Sequence, residues 1–207
     1  MRLQNPFAAI GPTGLDSQVL CVLARTTATM GASQIHSVIP ESGTDQGIRN
    51  ALDRLVAQGT VTETLIGRTY GYTLNREHLL APAIIAIASA KKRFIEAVAS
   101  AVEAWSFQAT TVTLFGSAAR NEMQDDSDID ILVVIPDDVP SDVSEEATFN
   151  LTLNAGSWTG NDVRLLLYSE SEVSPAPVFD SILREGIHIA GDADWLGLRL
   201  ARTEAPA

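Results

Sequence analysis

The sequence predicts an α/β (α+β) protein composed of two modules. Up to about residue 76, short helical apolar patterns precede two alternating β-like runs, which indicates a helical module ending in a hairpin. Beyond Thr110, strand-like apolar runs alternate with helical segments, and this order favours a small mixed sheet flanked by helices. Residues 1–80 carry six basic and six acidic side chains, whereas residues 81–207 carry eight basic and twenty acidic ones. The net charge of −12 therefore belongs to the second module, which suggests two units with different roles.

These patterns define four segments along the chain. They are a helical module with a hairpin over 15–76, a single linker helix over 77–105, a sheet-containing module over 108–191 and a tail over 192–207. Pro82 suits the first turn of the linker helix, along which apolar residues recur at about 3.5-residue spacing. The first 14 residues are expected to be irregular, and the apolar residues of the tail are expected to pack back: Trp195, Leu196, Leu198 and Leu200.

The third helix of the first module has a clear amphipathic pattern. It is predicted over about Asp45 to Gln58, with Ser42 or Thr44 as its N-cap and Gly59 at its end. Its apolar residues share one face: Ile48, Leu52, Leu55 and Val56. Two β-like runs, VTETLI and YGYTL, follow it and are joined by the loop GRT, whose glycine indicates a hairpin.

The segment GIRNALDRLVAQGTV, taken with the helices before it and the hairpin after it, resembles the winged helix-turn-helix of bacterial regulators over roughly 15–76. The resemblance implies that the third helix enters the DNA major groove and reads base edges with its early residues. The solvent-facing candidates on this helix are Gln46, Arg49, Asn50 and Arg54. Arg68, at the hairpin tip, is expected to meet phosphate or the minor groove. Because DNA-binding modules usually show a basic patch and this one is neutral, protein contact or dimerisation is the alternative role.

Candidate chemistry is concentrated in the segment TLFGSAARNEMQDDSDIDILVV, residues 113–134. A strand pattern leads to Gly-Ser, ten residues separate Ser117 from Asp128, and Asp-Ile-Asp begins a second strand pattern. Alternate side chains of a strand share a face, so Asp128 and Asp130 are expected to point the same way. Two carboxylates on one face can hold Mg²⁺ through oxygen ligands.

The residues after the first strand suit a bound anion. Gly116 has no side chain and lets the backbone approach a phosphate closely. Ser117 offers a hydroxyl and a backbone N–H, and a helix beginning here would favour an anion at its N-terminus. Arg120 can pair with phosphate oxygens, and Asn121 belongs to the residue type that best tolerates positive φ after glycine.

This segment resembles the signature of the polymerase-β-like nucleotidyltransferase superfamily, most closely its minimal bacterial members and the antibiotic nucleotidyltransferases, over about residues 108–190. The resemblance implies transfer of NMP, foremost AMP from ATP, to a hydroxyl group. It implies that Asp128 and Asp130 are catalytic ligands of Mg²⁺ or Mn²⁺ and that Gly116, Ser117 and Arg120 bind the nucleotide. In two-metal phosphoryl transfer, one ion activates the attacking hydroxyl and the other holds the triphosphate.

The strand NDVRLLLY departs from the family pattern, in which this strand usually supplies a third carboxylate. Alignment puts Arg164 at that position, and Asp162, two residues earlier on the same face, is the alternative after a register shift. If Asp162 does not serve, the site has two carboxylates and a guanidinium, and Arg164 could bind nucleotide phosphate while the second metal is lost or weak. Asp125 and Asp126 are expected to be solvated loop residues rather than ligands.

Composition narrows the setting. The single cysteine, Cys21, excludes an intrachain disulfide and a Cys-based zinc site. The most apolar run, Ala81 to Ala90, has about ten residues where a membrane span needs about twenty. A soluble cytoplasmic protein without a membrane partner is expected.

Three functions fit these patterns. The first is an enzyme that modifies a protein or a nucleic acid, including RNA or a toxin-like partner, while its winged helix binds DNA. Its acceptor site would be completed by the acceptor, by a partner protein or by a homodimer. The second is a transcriptional regulator whose nucleotidyltransferase-like domain senses nucleotide without turnover, which Arg164 in the third position favours. The third is an interaction module, which would show no Mg²⁺-dependent nucleotide binding.

Overall fold

The structure is a computed structural model that describes residues 1–9 and 14–204. It divides into two compact units, Arg2–Lys91 and Lys92–Ala207, with Met1 belonging to the second. Gly11 and Pro12 of the segment predicted to be irregular, and the last three residues of the predicted tail, lie outside the described residues. Within the described residues, no helix is both long enough and apolar enough to cross a membrane.

The first unit contains the three helices and the hairpin that the sequence predicts, and it adds one short strand. After a 3₁₀ turn, its elements are α1 (Leu15–Ala24), β1 (Met30–Gly31), α2 (Ala32–Val38), α3 (Asp45–Ala57), β2 (Val61–Ile66), β3 (Thr69–Leu74) and α4 (Ala81–Ala88). The sheet is antiparallel with the order β1-β3-β2. The winged helix-turn-helix interpretation of this arrangement stays a prediction.

Helix α3 begins where a side chain can cap it. The Thr44 hydroxyl accepts a hydrogen bond from the Gly47 N–H at 3.1 Å, so Thr44 rather than Ser42 is the N-cap. One face of the helix is buried in the core of this unit: Ile48, Ala51, Leu52 and Leu55. The predicted amphipathic helix is therefore confirmed, and its outer face is left for other contacts.

The segment predicted as one long helix contains two. Helix α4 ends at Ala88, and α5 (Ala90–Glu103) begins after Ser89. The Ser89 hydroxyl donates to the Ile85 carbonyl at 2.7 Å, a bond back along the helix of the kind that bends helices. The apolar spacing continues across this break, which explains why the sequence pattern did not reveal it.

The second unit is built around a four-stranded mixed sheet. After α5, its elements are β4 (Thr111–Phe115), α6 (Gly116–Arg120), β5 (Ile129–Ile135), α7 (Ser141–Thr159), β6 (Val163–Ser169), α8 (Pro177–Glu185), β7 (Ile187–Gly191) and α9 (Trp195–Glu204). The strand order is β6-β5-β4-β7, with β5 and β6 parallel and the other two pairs antiparallel. The predicted small mixed sheet flanked by helices is confirmed.

Two elements of this unit were not predicted. Strand β7 has only five residues, IHIAG, and follows directly on the helix that was expected to end the module. Helix α9 occupies the place of the predicted tail. Leu196 and Leu200 pack into the core as expected, whereas Leu198 is exposed.

Strand β5 is central and apolar, and this positions the candidate site. Every residue of β5 is buried except Asp130, which is half-buried near the start of the strand. Central strands covered on both faces are usually apolar throughout. A carboxylate at this position therefore needs a reason other than packing.

Candidate functional site

The two predicted carboxylates lie at the beginning of β5. Asp128 directly precedes the strand and Asp130 is its second residue, while Ile129 between them is completely buried. The Asp128 side chain keeps 20% of its surface exposed. Alternation along the strand places both carboxylates on the same face, so the structure brings them together at one edge of the sheet.

Gly116 completes this edge from the neighbouring strand. Phe115, the last residue of β4, is paired with Asp130 across the sheet, and Gly116 follows it with φ of +69°. A Cβ atom built on Gly116 would lie 2.5 Å from Oδ2 of Asp130. The glycine therefore makes room for the Asp130 carboxylate, a constraint that sequence reasoning attributed to a phosphate.

The turn after Gly116 is formed as its residues suggest. Helix α6 has five residues, and its C-cap is Asn121, whose φ of +63° places it in the left-handed region. The carbonyl of the half-buried Ser117 accepts the N–H groups of Asn121 and Glu122. The positive φ expected at Asn121 is present, and it turns the chain towards the loop that leads to Asp128.

Arg120 makes two ion pairs in this structure. Its Nε donates to Glu122 at 2.7 Å and its Nη1 donates to Glu185 at 3.1 Å. Hydrogen bonds from Arg184 and, to a smaller extent, from Arg120 lower the pKa of Glu185 below its ordinary value. Glu185 lies at the end of α8 and was missed by the sequence analysis, because nothing local marks a carboxylate 65 residues from its partner.

Arg164 lies beside both carboxylates. It is the register partner of Asp130 in the parallel pairing of β5 and β6, and its Nη2 is 2.6 Å from Oδ2 of Asp128. Burial raises the pKa of Asp130, the Arg164 guanidinium opposes that shift, and the Asp128 charge adds to it. Arg164 thus places a guanidinium directly beside the two carboxylates.

Asp162 does not complete a group of three carboxylates. Its backbone carbonyl accepts the Ile129 N–H at 2.9 Å, and its side chain is exposed. Among the described residues, no group of three or more His, Cys, Asp or Glu side chains is arranged to hold a metal ion. Asp125 and Asp126 are exposed in the loop, as expected.

A buried asparagine holds the loop that precedes the carboxylates. Asn161, just before β6, donates from its side-chain amide to the Ser127 carbonyl at 3.0 Å. It is 9% exposed. This bond joins the approaches to β5 and β6 next to Asp128, and the sequence offered no signal for it beyond the position of Asn161 before a strand.

The candidate DNA-reading residues of the first unit separate into two groups. Arg49 and Arg68 line one cleft of about 350 Å³, together with Tyr70 and Tyr72 of β3. Arg54 instead makes a two-pronged ion pair with Asp16 of α1, with Nε to Oδ2 at 3.1 Å.

The remaining two candidates on α3 contact each other. The Gln46 side-chain amide donates to Asn50 Oδ1 at 2.8 Å. The cleft therefore contains only two of the predicted residues, one from the helix and one from the hairpin loop.

Comparison with known proteins gives the class of the second unit. Residues 91–182, less than half of the chain, match the family model described as "Nucleotidyltransferase domain". No curated protein matches the chain. The matched residues include the whole of the strand–turn–strand segment that carries Gly116, Asp128 and Asp130. Residues 91–182 are therefore similar to a nucleotidyltransferase domain.

Solved structures resemble the chain only distantly. A toxin–antitoxin complex with AMP-PNP shares 19% identity over 53% of this chain and 82% of that one, with a TM-score of 0.41. A tri-AMPylated Shewanella oneidensis HEPN toxin in complex with MNT antitoxin shares 18% identity over 55% of this chain and 82% of that one, with a TM-score of 0.39. A minimal nucleotidyltransferase shares 26% identity over 49% of this chain and 91% of that one, with a TM-score of 0.34. Because these TM-scores lie below 0.5, the domain assignment depends on the family match and not on these structures.

Proposed function

We propose that the nucleotidyltransferase domain transfers NMP, specifically AMP from ATP, to a hydroxyl group of a protein or a nucleic acid. The observation that carries this proposal is the pair of carboxylates at the start of β5, Asp128 and Asp130, of which Asp130 lies against Gly116. A half-buried carboxylate in an otherwise buried strand is costly unless it has a cation to bind. Gly116, which has no side chain, leaves room for the Asp130 carboxylate. This supports a functional rather than a packing role for Asp130.

The two carboxylates fit a divalent cation that is shared with a nucleotide. Mg²⁺ commonly takes one or two protein carboxylates and completes its octahedron with phosphate oxygens and water. Bound there, Mg²⁺ or Mn²⁺ would supply Lewis-acid stabilisation of the charge that develops on the phosphates. Asp128 and Asp130 would hold the cation.

Ser117 and Arg120 would bind the triphosphate. The described bonds of Arg120 use Nε and Nη1, which leaves the donors of Nη2 for a phosphate oxygen. Glu122 and Glu185 would then fix the plane of the guanidinium while it binds. A planar, preorganised guanidinium is well suited to phosphate.

The acceptor hydroxyl would belong to a macromolecule. A protein, including a toxin-like partner of the kind present in the similar complexes, or an RNA would bring its own surface to the site. A homodimer is the other arrangement that could complete it.

The first unit would act as a winged helix-turn-helix that binds DNA. Support comes from Arg49 of α3 and Arg68 of the hairpin loop, which line the same cleft. Arg54 and Asn50 support this role less, since their side chains contact Asp16 and Gln46. DNA binding would tether the nucleotidyltransferase domain to DNA or repress the protein's own promoter.

The test is label transfer from radioactive NTPs. We expect the protein with Mg²⁺, and with cell extract as a source of acceptor, to release pyrophosphate and transfer label from ATP. The double variant Asp128→Asn/Asp130→Asn should lose about 100-fold or more of this activity, because it removes the charge that holds the cation. The double variant Asp125→Asn/Asp126→Asn removes the same charge from the exposed loop and should retain it. Equal activity in all three proteins would refute the proposal.

The second candidate function is a nucleotide sensor without turnover. The ion pair between Arg164 and Asp128 favours it, because a guanidinium already occupies part of the cation site. This function predicts nucleotide binding that Asp128→Asn/Asp130→Asn weakens, with no pyrophosphate release under any acceptor condition.

A further inference from the structure

The guanidinium of Arg164 is a positive charge of the protein itself beside the carboxylates of Asp128 and Asp130. We propose, on the basis of the function proposed above, that Arg164 takes the place of a second metal ion. The site then holds one divalent cation, and Arg164 binds the phosphates of the nucleotide.

The strand register makes Arg164 part of the site. Residues paired in neighbouring strands lie about 4.8 Å apart and point to the same face. Arg164 is paired in this way with Asp130. Its guanidinium also reaches Asp128, where Nη2 and Oδ2 are 2.6 Å apart. One side chain thus spans both acidic positions.

The charges and ligands present do not fit two metal ions. Two-metal sites hold ions about 3.5–4 Å apart through shared carboxylates, and each ion needs several oxygen ligands. The described part of the chain offers no third carboxylate here, since Asp162 is exposed and joins no such group. Arg164 reduces the charge of the carboxylate pair from −2 to −1, and its own charge repels a second cation.

Arg164 is free to change partners when a cation binds. Its side chain is 70% exposed, so the guanidinium can leave Asp128 without disrupting the core. A cation at Asp128 would displace it, and phosphate oxygens are its natural next partner because a guanidinium binds them through two parallel hydrogen bonds. Cation binding and nucleotide binding are thereby coupled through one side chain.

The first experiment counts cations. The full-length protein, saturated with a non-hydrolysable ATP analogue, is titrated with Mn²⁺, and free Mn²⁺ is followed by electron paramagnetic resonance. We expect one tight Mn²⁺ per bound nucleotide in the wild type and two in Arg164→Asp, which restores a carboxylate at the register position. The count should stay at one in Asp162→Asn. Two tight ions in the wild type, or a lower count in Asp162→Asn, would overturn the proposal.

The second experiment measures nucleotide affinity with the cation present. In saturating Mg²⁺, Arg164→Gln should bind a labelled non-hydrolysable ATP analogue about 10-fold more weakly than the wild type, near the lower end of the range for a charge-assisted hydrogen bond. Arg202→Gln, which removes an exposed positive charge on α9 of the same unit, is the matched control for general electrostatics. Equal affinity of wild type and Arg164→Gln, with unchanged thermal unfolding, would contradict a phosphate contact.

The two proposals can fail separately. If Asp128→Asn/Asp130→Asn binds and turns over ATP like the wild type, the proposed function itself is wrong. If that double variant loses metal-dependent binding while Arg164→Gln and Arg164→Asp behave like the wild type, only the role of Arg164 is wrong.

Discussion

Two constraints require a glycine at position 116: the backbone φ and the space taken by the Asp130 carboxylate. The φ of +69° at Gly116 is strained for other residues, and an added Cβ would lie 2.5 Å from Oδ2 of Asp130. The second constraint relates the backbone at the end of β4 to a candidate-site side chain, Asp130, on the neighbouring strand β5. Replacing this glycine therefore tests the geometry of the carboxylate pair directly.

Gly116→Ala should cost about 2 kcal/mol or more in free energy of unfolding, the sum of left-handed strain and a displaced Asp130. It should also lower metal-dependent nucleotide binding. Gly160→Ala is the matched control, since Gly160 has φ of +71° in the same unit and nothing within 4 Å of an added Cβ. It should cost about 1 kcal/mol, the strain alone, and leave binding intact. Urea unfolding and nucleotide titration of both variants measure the difference, and equal effects would argue against the contact with Asp130.

The sequence could predict the placement of those candidate-site residues whose positions depend on local geometry. Strand alternation is enough to place Asp128 and Asp130 on one face, and residue type is enough to expect positive φ at Asn121. It could not choose between Asp162 and Arg164 as the neighbour of the pair. That choice depends on the register of β5 against β6, which the long helical connection between them and its packing determine.

At the scale of elements, a side-chain hydrogen bond decides which of two candidate N-cap residues begins helix α3. The sequence allowed Ser42 or Thr44, and the structure has the Thr44 hydroxyl on the Gly47 N–H at 3.1 Å. Thr44→Ala should therefore destabilise the first unit by about 1 kcal/mol, while Thr44→Ser should be nearly neutral. Ser42→Ala, in the same loop, should have no measurable effect. Thermal unfolding of the three variants distinguishes them, and a larger loss from Ser42→Ala would reverse the assignment.

A hydrogen bond joins the segment that follows β5 to the segment that follows β6. Asp137 Oδ1 accepts the Ser171 backbone N–H at 2.9 Å, and the hydrogen bonds from Ser171 lower the pKa of Asp137. A carboxyl group with a lowered folded-state pKa stabilises the fold above its ordinary pKa, and the effect disappears as the pH falls through the lowered value. This contact should therefore make the stability of the second unit depend on pH in the acidic range.

Asp137→Asn should lower the unfolding temperature at pH 7 and have progressively less effect as the pH falls below the ordinary aspartate range. Asp138→Asn, the neighbouring exposed carboxylate, removes the same charge without this bond and serves as the control. Calorimetry from pH 7 to pH 2.5 measures both. A loss that does not change with pH, or one shared by Asp138→Asn, would show that the hydrogen bond to the ionised carboxylate is not the cause.

The elements that the sequence predicted well are those whose stabilisation is local. Helix α3 has its own cap and apolar stripe, and the hairpin has its own glycine loop. The elements that it missed depend on partners far along the chain. Strand β1 has two residues and exists by pairing with β3, and β7 exists by pairing with β4. Ser89 interrupts the linker helix through a bond that leaves the apolar pattern unchanged.

At the scale of the whole molecule, charge and structure divide the chain similarly. Residues 1–80 are neutral and residues 81–207 carry eight basic against twenty acidic side chains. A DNA-binding role for the first unit must therefore depend on a few well-placed cations rather than on a general positive field. Arg49 and Arg68, which share a cleft, are the residues best placed for this. The acidic charge of the second unit would repel DNA.

The double variant Arg49→Ala/Arg68→Ala should weaken binding of the full-length protein to a duplex containing the DNA upstream of its own gene. The slope of log K against log salt should fall by about one for each phosphate that the variant no longer neutralises. Arg76→Ala removes an arginine of the same unit that bonds the Thr26 carbonyl, and it should change neither quantity. Nucleotide binding should be equal in all three proteins, because these arginines belong to the other unit. Equal weakening by Arg76→Ala would indicate general charge instead of a defined surface. No binding by the wild type, with nucleotide binding intact, would favour the alternative in which the first unit contacts a protein.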